Sequence, residues 1–401
     1  MKATGIIVEY NPFHNGHDFH VHESKKQTEA DCMIGVMSGH FLQRGEPALL
    51  SKWYRTEMAL RSGVDLIVEL PYVYATQQAD TFAAGAVAIL NQLQVESICF
   101  GSEDGRIEPF QRAVQFTDSS QPSEHVKSLL KEGYSYPKAL SLALQTTEDS
   151  IDLSQPNNIL GYAYVKAIID QHTGITPHTI KRTQAHYHDV ELPTTPIASA
   201  TSIRKSLHTQ SSIEEISPYV PAATTRLLED YITTYGGFHD WEQYFPLLKY
   251  KLLTMTPSQL ADIYEIEEGI EYRLLDANKR ASTFAEFMSL VKTKRYTWTR
   301  IQRMCVHILT HTMKEEMKPF LHVDAPPYVR VLGMTKKGRE YLRLIKKKIE
   351  VPLVTKISKK QADTILRLDL KATYVYGMSL PEPLRSQFSM QDFTTPPIIL
   401  S

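Results

Sequence analysis

The sequence predicts an α/β fold, a parallel sheet covered on both faces, followed by a mainly helical, basic C-terminal domain. Three observations carry this. Over the first 210 residues, short β-branched apolar runs alternate with amphipathic stretches at helical spacing. Beyond about residue 211 that alternation stops. The charge also divides along the chain. Residues 271–401 hold 24 Lys+Arg against 12 Asp+Glu, a net of +12, out of whole-chain totals of 44 and 45. That leaves 20 against 33 in residues 1–270, a net of −13. A basic end on an acidic body implies a polyanionic partner held by that end.

The strands come first. Residues 3–9 (ATGIIVE), 32–37 (CMIGVM), 65–70 (DLIVEL) and 97–100 (SICF) are apolar runs, each closed by a polar or glycine-bearing turn. Residues 51–61 and 79–93 have helical spacing between them. In a parallel sheet, ligands bind beyond the carboxyl ends of the strands. Residues 9–17, 38–44, 71–74 and 101–103 therefore belong on one rim. Residues 106–175 read as helices, including one that starts at Pro156-Asn157-Asn158, and residues 176–181 as a further strand ending at Arg182. A Pro-rich loop then leads to a helix entry, ASATSIR, at 198–204. Pro218 and Pro221 mark a linker, residues 222–315 are mostly helical with a break at Gly236-Gly237, and two strands, 328–334 and 352–357, flank a basic helix at 336–348. At 401 residues the chain is too long for one ordinary domain, so we expect a boundary near 210, giving domains 1–210 and 211–401.

Composition excludes several classes. The longest apolar stretch, residues 82–90, is less than half a membrane span. The start, MKATGIIVEYNPFHNGH, lacks the apolar length and cleavage site of a signal peptide, so a cytoplasmic location is expected. Cys32, Cys99 and Cys305 form no CxxC pair and read as reduced, buried thiols. No Gly-Lys dipeptide occurs, which rules out a Walker A loop, and no GxGxxG follows a strand.

The chemistry concentrates at His14-Asn15-Gly16-His17, directly after the first strand. Glycine lets a nucleotide approach the helix N-terminus, where free N–H groups and the dipole favour anions. Histidines placed there can donate hydrogen bonds as charge develops on phosphate. The pattern resembles the HxGH signature of class I aminoacyl-tRNA synthetases and small nucleotidyltransferases. The second feature, ASATSIR, resembles the ISSTxIR segment that closes such sites, with alanine at Ala200 in place of the second serine. Its plainer alternative is a Ser/Thr helix cap with a solvated arginine. Lys356-Ile357-Ser358-Lys359-Lys360 has the look of a KMSKS loop, but it lies far beyond the α/β region and reads as a chance match or part of a nucleic-acid surface. His14, His17, His20 and His22 lie close together, yet no acidic or cysteine ligand completes a zinc set, and magnesium with ATP is the ordinary expectation.

Longer segments narrow the reading. IIVEYNPFHNGH, SGHFLQRGEPALLSKWYRTEMAL, GVDLIVELP, FGSEDG, QPNNILGYAYVKA, IASATSIR and YVRVLGMTKKG occur in this order across nearly the whole chain. Together they resemble the bacterial tRNA(Met) cytidine acetate ligase family, within the HxGH nucleotidyltransferase superfamily. The resemblance implies a Rossmann-like HUP/nucleotidyltransferase domain. It implies that acetate is activated with ATP to acetyl-adenylate, and that the acetyl group passes to N4 of the wobble cytidine of elongator tRNA(Met). It places ATP binding on Ile7, Val8, Glu9, Tyr10, Asn11, Pro12, Phe13, His14, Asn15, Gly16, His17, Asp18, Phe19 and His20. Gly101, Asn157, Arg182, Ser199 and Thr201 complete the pocket, with Asn157 ranked ahead of Asn158. His14, His17 and Arg204 carry the catalytic role, as stabilisers of the transition state.

For tRNA, the expected surface is the basic helix with Lys336, Lys337, Arg339, Arg343, Lys346, Lys347 and Lys348; the other basic stretch carries Lys292, Lys294, Arg295, Arg300 and Arg303. No membrane and no protein partner are expected. Two other functions use the same parts: an adenylyltransferase making a nucleotide cofactor, and a non-catalytic RNA-binding protein with a relict nucleotide fold.

Overall fold

The apolar runs form strands because both of their faces are covered. In the computed structural model, which describes residues 1–118, 124–133, 136–144, 151–182, 192, 195–209, 213–267, 269–323 and 325–400, the first 182 residues supply five parallel strands. They are β1 (Ala3–Val8), β2 (Cys32–Ser38), β3 (Leu66–Leu70), β4 (Ser97–Ser102) and β5 (Thr176–Lys181). Every residue of β2 and β3 is buried, as expected for strands covered on both sides. Much of the Pro-rich loop before 198 lies outside the described residues.

The sheet order is β5-β4-β1-β2-β3-β6-β7, with β8 paired to β6. β6 (Val329–Thr335), β7 (Leu353–Val354) and β8 (Ile398–Leu400) all come from the C-terminal part of the chain. β6 runs antiparallel to β3, with Leu66 opposite Met334 and Glu69 opposite Arg330. The strand–helix–strand segment at 328–357, which the sequence places with residues 211–401, thus extends the sheet of the first 182 residues. The expected strand at 352–357 is only two residues long, and the basic helix ends at Ile345. β8 has no counterpart in the sequence reading, because three residues next to prolines carry too little pattern.

A buried ionic cluster fixes this junction. Lys52 Nζ lies 2.7 Å from Glu69 Oε1 and 3.0 Å from Asp392 Oδ1. Arg330 reaches Glu69 Oε2 at 2.9 Å and Asp392 Oδ1 at 3.0 Å. Two cations meet two anions, so the desolvated charges cancel; removing one partner would leave its neighbours uncompensated, at about 3–5 kcal/mol. Asp65 joins the same strands at their other end: its carboxylate accepts from Met33 N (3.0 Å) and from the Thr335 hydroxyl (2.9 Å).

The basic helix, Lys336–Ile345, follows directly from Thr335 and therefore lies along the amino ends of the parallel strands. Gly338 sits so close to the Asp65 carbonyl that a Cβ would stand 1.9 Å from its oxygen. Tyr341 OH donates to the carbonyls of Leu93 and Gln94, just before β4. The described part of residues 222–315 is mostly helical, as the sequence predicts, from Ala222–Tyr235 to Trp298–Thr310, with Gly236 ending the first of these helices and a core around Trp241, Phe245, Phe287 and Met304.

Candidate active site

A cavity of about 270 Å³ opens at the carboxyl ends of β1, β4 and β5, on the rim the alternation predicts. Of the expected residues, Ile7, Val8, Glu9, Tyr10, Asn11, His14, Gly16, His17, Phe19, His20, Gly101, Asn157, Arg182, Ser199, Thr201 and Arg204 line it. Pro12, Phe13, Asn15 and Asp18 do not, and each has other contacts. The Asn11-Pro12 bond is cis. Phe13 is fully buried beneath the turn, packed on Tyr10 at 4.6 Å. Asn15 donates to the carbonyls of Pro196 and Pro218, both at 2.9 Å, which ties the turn to the segment before ASATSIR. Asp18 faces outward and pairs with His22 at 3.6 Å.

The two motif histidines begin helix α1 (Asn15–Thr28) as a capping box made of imidazoles. His14 is the N-cap, and its Nδ1 accepts from Gly16 N–H at 3.0 Å. His17 Nδ1 accepts from His14 N–H at 3.3 Å, and the rings stack at 3.8 Å. A Cβ on Gly16 would come within 2.9 Å of His14 Cε1, so glycine is required for the pair to close. Because each Nδ1 accepts a backbone N–H, each neutral ring carries its proton on Nε2.

The rings are held neutral. Burial, then the charges of Arg182 and Arg204, pull His14 down to about 3. His17 is held well below its ordinary value by burial and by His14, Arg182 and His20, against a weak opposing pull from the Pro12 carbonyl. Burial and Arg182 bring His20 to about 4. The result is a set of uncharged N–H donors flanked by arginines, suited to meeting charge that develops on a bound phosphate.

Ser199 performs the cap that the plainer reading assigned it. Its hydroxyl accepts from Ser202 N–H at 3.0 Å while the residue lines the cavity. Arg204 is not solvated: it donates to the Asn11 carbonyl at 3.0 Å and reaches Glu46 at 3.4 Å. Across the cavity, Glu103 accepts from Asn157 Nδ2 at 2.7 Å and from Asn158 N–H at 2.8 Å. Asn158 in return accepts from the N–H groups of Glu103 and Asp104, at 3.0 and 3.2 Å. Asn158 is thus spent on holding the Ser102-Glu103-Asp104 turn, and Asn157 is the member that lines the cavity.

The HIGH Nucleotidyl Transferase family model matches residues 1–392. A tRNA(Met) cytidine acetate ligase from Geobacillus sp. (strain WCH70) is 50% identical over 403 residues, covering 100% of both chains. One from Bacillus subtilis (strain 168) is 50% identical over 405 residues, covering 99% of this chain and 97% of its own. The chain belongs to the tRNA(Met) cytidine acetate ligase family. The crystal structure of Thermotoga maritima TmcAL in its apo form superposes with a TM-score of 0.91 at 34% identity, covering 100% of both chains. TmcAL bound with alpha-thio ATP gives 0.89 at 33%, again over 100% of both.

For this family member, the sequence reading missed part of the lining. Leu42, Gln43, Arg44 and Glu46 enter from the loop after β2, and Phe82, Phe100, Leu160 and Tyr164 form an apolar wall. The loop was on the expected rim, and its charged residues could have been counted. Gln43 N–H donates to Glu9 Oε1 at 2.7 Å, so this loop also positions the first residue beyond β1. Burial pushes the Glu9 carboxyl up, opposed by that N–H. Lys356–Lys360 is not part of the lining; Ile357 packs beside Tyr328 and Leu366, and Ser358 caps a short helix. Among the described residues no three His, Cys, Asp or Glu side chains gather to hold a metal, and no helix is long and apolar enough to cross a membrane.

Proposed function

We propose that the chain is an ATP-dependent acetate ligase that acetylates N4 of the wobble cytidine in elongator tRNA(Met). Acetate oxygen attacks the α-phosphorus of ATP, the bond to the bridging oxygen breaks, and pyrophosphate leaves. The resulting acetyl-adenylate then receives the cytidine amine at its carbonyl carbon. The C–O bond to phosphate breaks, AMP departs, and the amine loses a proton.

One observation carries the first step: the stacked His14–His17 pair, with Nε2 fixed as the donor and Arg182 and Arg204 close enough to depress it. In this reading His14 and His17 donate to the α-phosphate and the departing pyrophosphate, and Arg204 offsets their charge. Gly101 and Asn157 complete the nucleotide pocket, Arg182 joins the positive rim around the α-phosphate, and Ser199 and Thr201 face the triphosphate. Magnesium enters with ATP as part of the substrate. Among the described residues the carboxylates lining the cavity are Glu9 and Glu46, and Arg204 already engages Glu46, so the cation would be held largely by the nucleotide's phosphates and water.

In the same reading, residues 1–210 activate the acid and residues 211–401 hold the tRNA. The test is isotope exchange between ATP and pyrophosphate without tRNA. Exchange that requires acetate supports adenylate formation; exchange indifferent to acetate refutes it.

A further inference from the structure

The two basic stretches of the C-terminal part lie on opposite edges of the sheet. The Lys336–Ile345 helix and Lys346, Lys347 and Lys348 follow β6 at the amino ends of the strands, where Glu350 N–H donates to Gln92 at the end of the Ala79–Gln92 helix. Strands of five to seven residues separate that edge from the cavity by about 20 Å.

The helix Trp298–Thr310 stands on the cavity's own edge. Its far half is anchored beside the carboxyl end of β3, where His307 and Thr310 meet Tyr72 OH at 2.8 and 2.9 Å. Its near half presses on Gly45, whose Cβ would stand 2.3 Å from Arg303 N. Gly45 lies between Arg44 and Glu46, both in the cavity lining. The turn leading into this helix is exposed and cationic at Lys292, Lys294 and Arg295, and no acidic residue occurs between Glu286 and Glu315. Trp298, the first residue of the helix, is 41% exposed, although a tryptophan is costly to leave in water.

From this arrangement we propose that the turn at Lys292, Lys294, Arg295 and Trp298 receives the anticodon arm of the tRNA, and that the longer basic run at 336–348 does not. The proposal rests on the cavity being the site of acetyl transfer. The reacting cytosine has to leave its stack and enter the cavity, so the phosphates next to it must pass over the cavity's own edge. Single-stranded loops are bound by cations tracking the backbone and by aromatic rings that stack on splayed bases. The 292–298 turn offers both within seven residues. The 336–348 run has more charge, but its exposed large apolar side chain is Leu344, which offers no ring to a base.

Two triple charge reversals decide the matter, Lys292→Glu/Lys294→Glu/Arg295→Glu and Lys346→Glu/Lys347→Glu/Lys348→Glu, with Trp298→Ala as a milder third variant. Each is assayed for acetate-dependent ATP–pyrophosphate exchange without tRNA, for binding of a tRNA(Met) transcript across a salt series, and for acetyl transfer. The first triple should keep wild-type exchange, lose on the order of a hundredfold in transfer, and bind with a log–log salt slope shallower by about 2 to 3. The second should stay within twofold of wild type in all three assays. Trp298→Ala should weaken binding on the order of tenfold with its slope unchanged, which keeps the proposal testable even if the first triple fails to fold. Loss of slope and transfer in the second triple, or wild-type binding by Trp298→Ala, overturns the proposal. Absence of acetate-dependent exchange in the wild type would instead refute the reading of the cavity.

Discussion

His14, His17 and His20 at the start of α1 share one condition with His40, His239 and His307, which lie between the sheet and the C-terminal helices. Burial holds all six well below the ordinary imidazole value. Their partners differ. His239 is bonded at both nitrogens, to Tyr231 OH at 2.8 Å and Tyr244 OH at 2.7 Å. His40 meets the Thr373 hydroxyl at 3.2 Å, and His307 meets Tyr72 OH at 2.8 Å. Each of these bonds ties one element to another. The Nδ1 atoms of His14 and His17 bond only the backbone of their own helix start, and the rings line the cavity. A depressed imidazole is therefore no signature of a site by itself. What separates the two groups is what their bonds tie together and what space the ring faces: His40 and His307 also leave Nε2 unbonded, but it is buried and neither ring lines the cavity.

The sharpest way to break this comparison is to remove one ring from each group. His17→Ala should lower acetate-dependent exchange by about 10²–10³-fold, the effect of losing one donor to transition-state charge, with stability lowered only by the one capping bond it makes, about 0.5–2 kcal/mol. Wild-type exchange in a folded His17→Ala protein would place His17 with the structural group. Arg182→Ala should weaken ATP binding by roughly one order of magnitude, as expected for a lost charged hydrogen bond. An unchanged ATP dissociation constant removes Arg182 from the site.

His239→Phe should do the reverse of His17→Ala. It takes one hydrogen-bond partner from the buried Tyr231 hydroxyl, while Tyr244 OH keeps the Tyr376 carbonyl at 2.8 Å, so the cost is about 1–3 kcal/mol for the one group left short. Thermal unfolding should shift down while exchange per folded molecule stays within twofold. A variant with normal stability and lost exchange would undo the division.

The smallest expected effect is in pH dependence. Histidines titrating near 6.5 in the unfolded chain and at about 3 to 4 in the folded one mean that the unfolded state binds more protons between those values. Stability is then complete above pH 6.5 and falls as pH drops through that window. Exchange measured on folded enzyme should stay level from pH 8 to about 5.5, because His14, His17 and His20 remain neutral throughout. An acid limb centred near 6.5 would mean that one of them titrates as an ordinary exposed histidine.

The histidine pair was legible in the sequence because its capping geometry is local: Gly16 and His17 fall two and three residues after His14. The rim was legible because alternation fixes which strand ends share an edge. The long-range pairings were not. β6 enters antiparallel through Glu69 and Arg330, some 260 positions apart, and nothing in either local pattern announces the partner. Asn157 and Asn158 were inseparable in sequence because adjacent helical positions diverge by about 100°, and only the Glu103 contact shows which one holds the turn. Counting charge pointed to the densest basic run, yet density does not reveal which edge of the sheet a helix occupies.

In the function proposed above, this cavity joins acetate to a tRNA cytidine at the expense of ATP. The most direct measurement is mass spectrometry of elongator tRNA(Met) after incubation with the protein, ATP and isotopically labelled acetate. The expected result is a labelled acetyl group on the wobble cytidine, dependent on ATP and absent with His17→Ala. Unmodified tRNA despite acetate-dependent pyrophosphate exchange, or label on any other nucleotide, would contradict it.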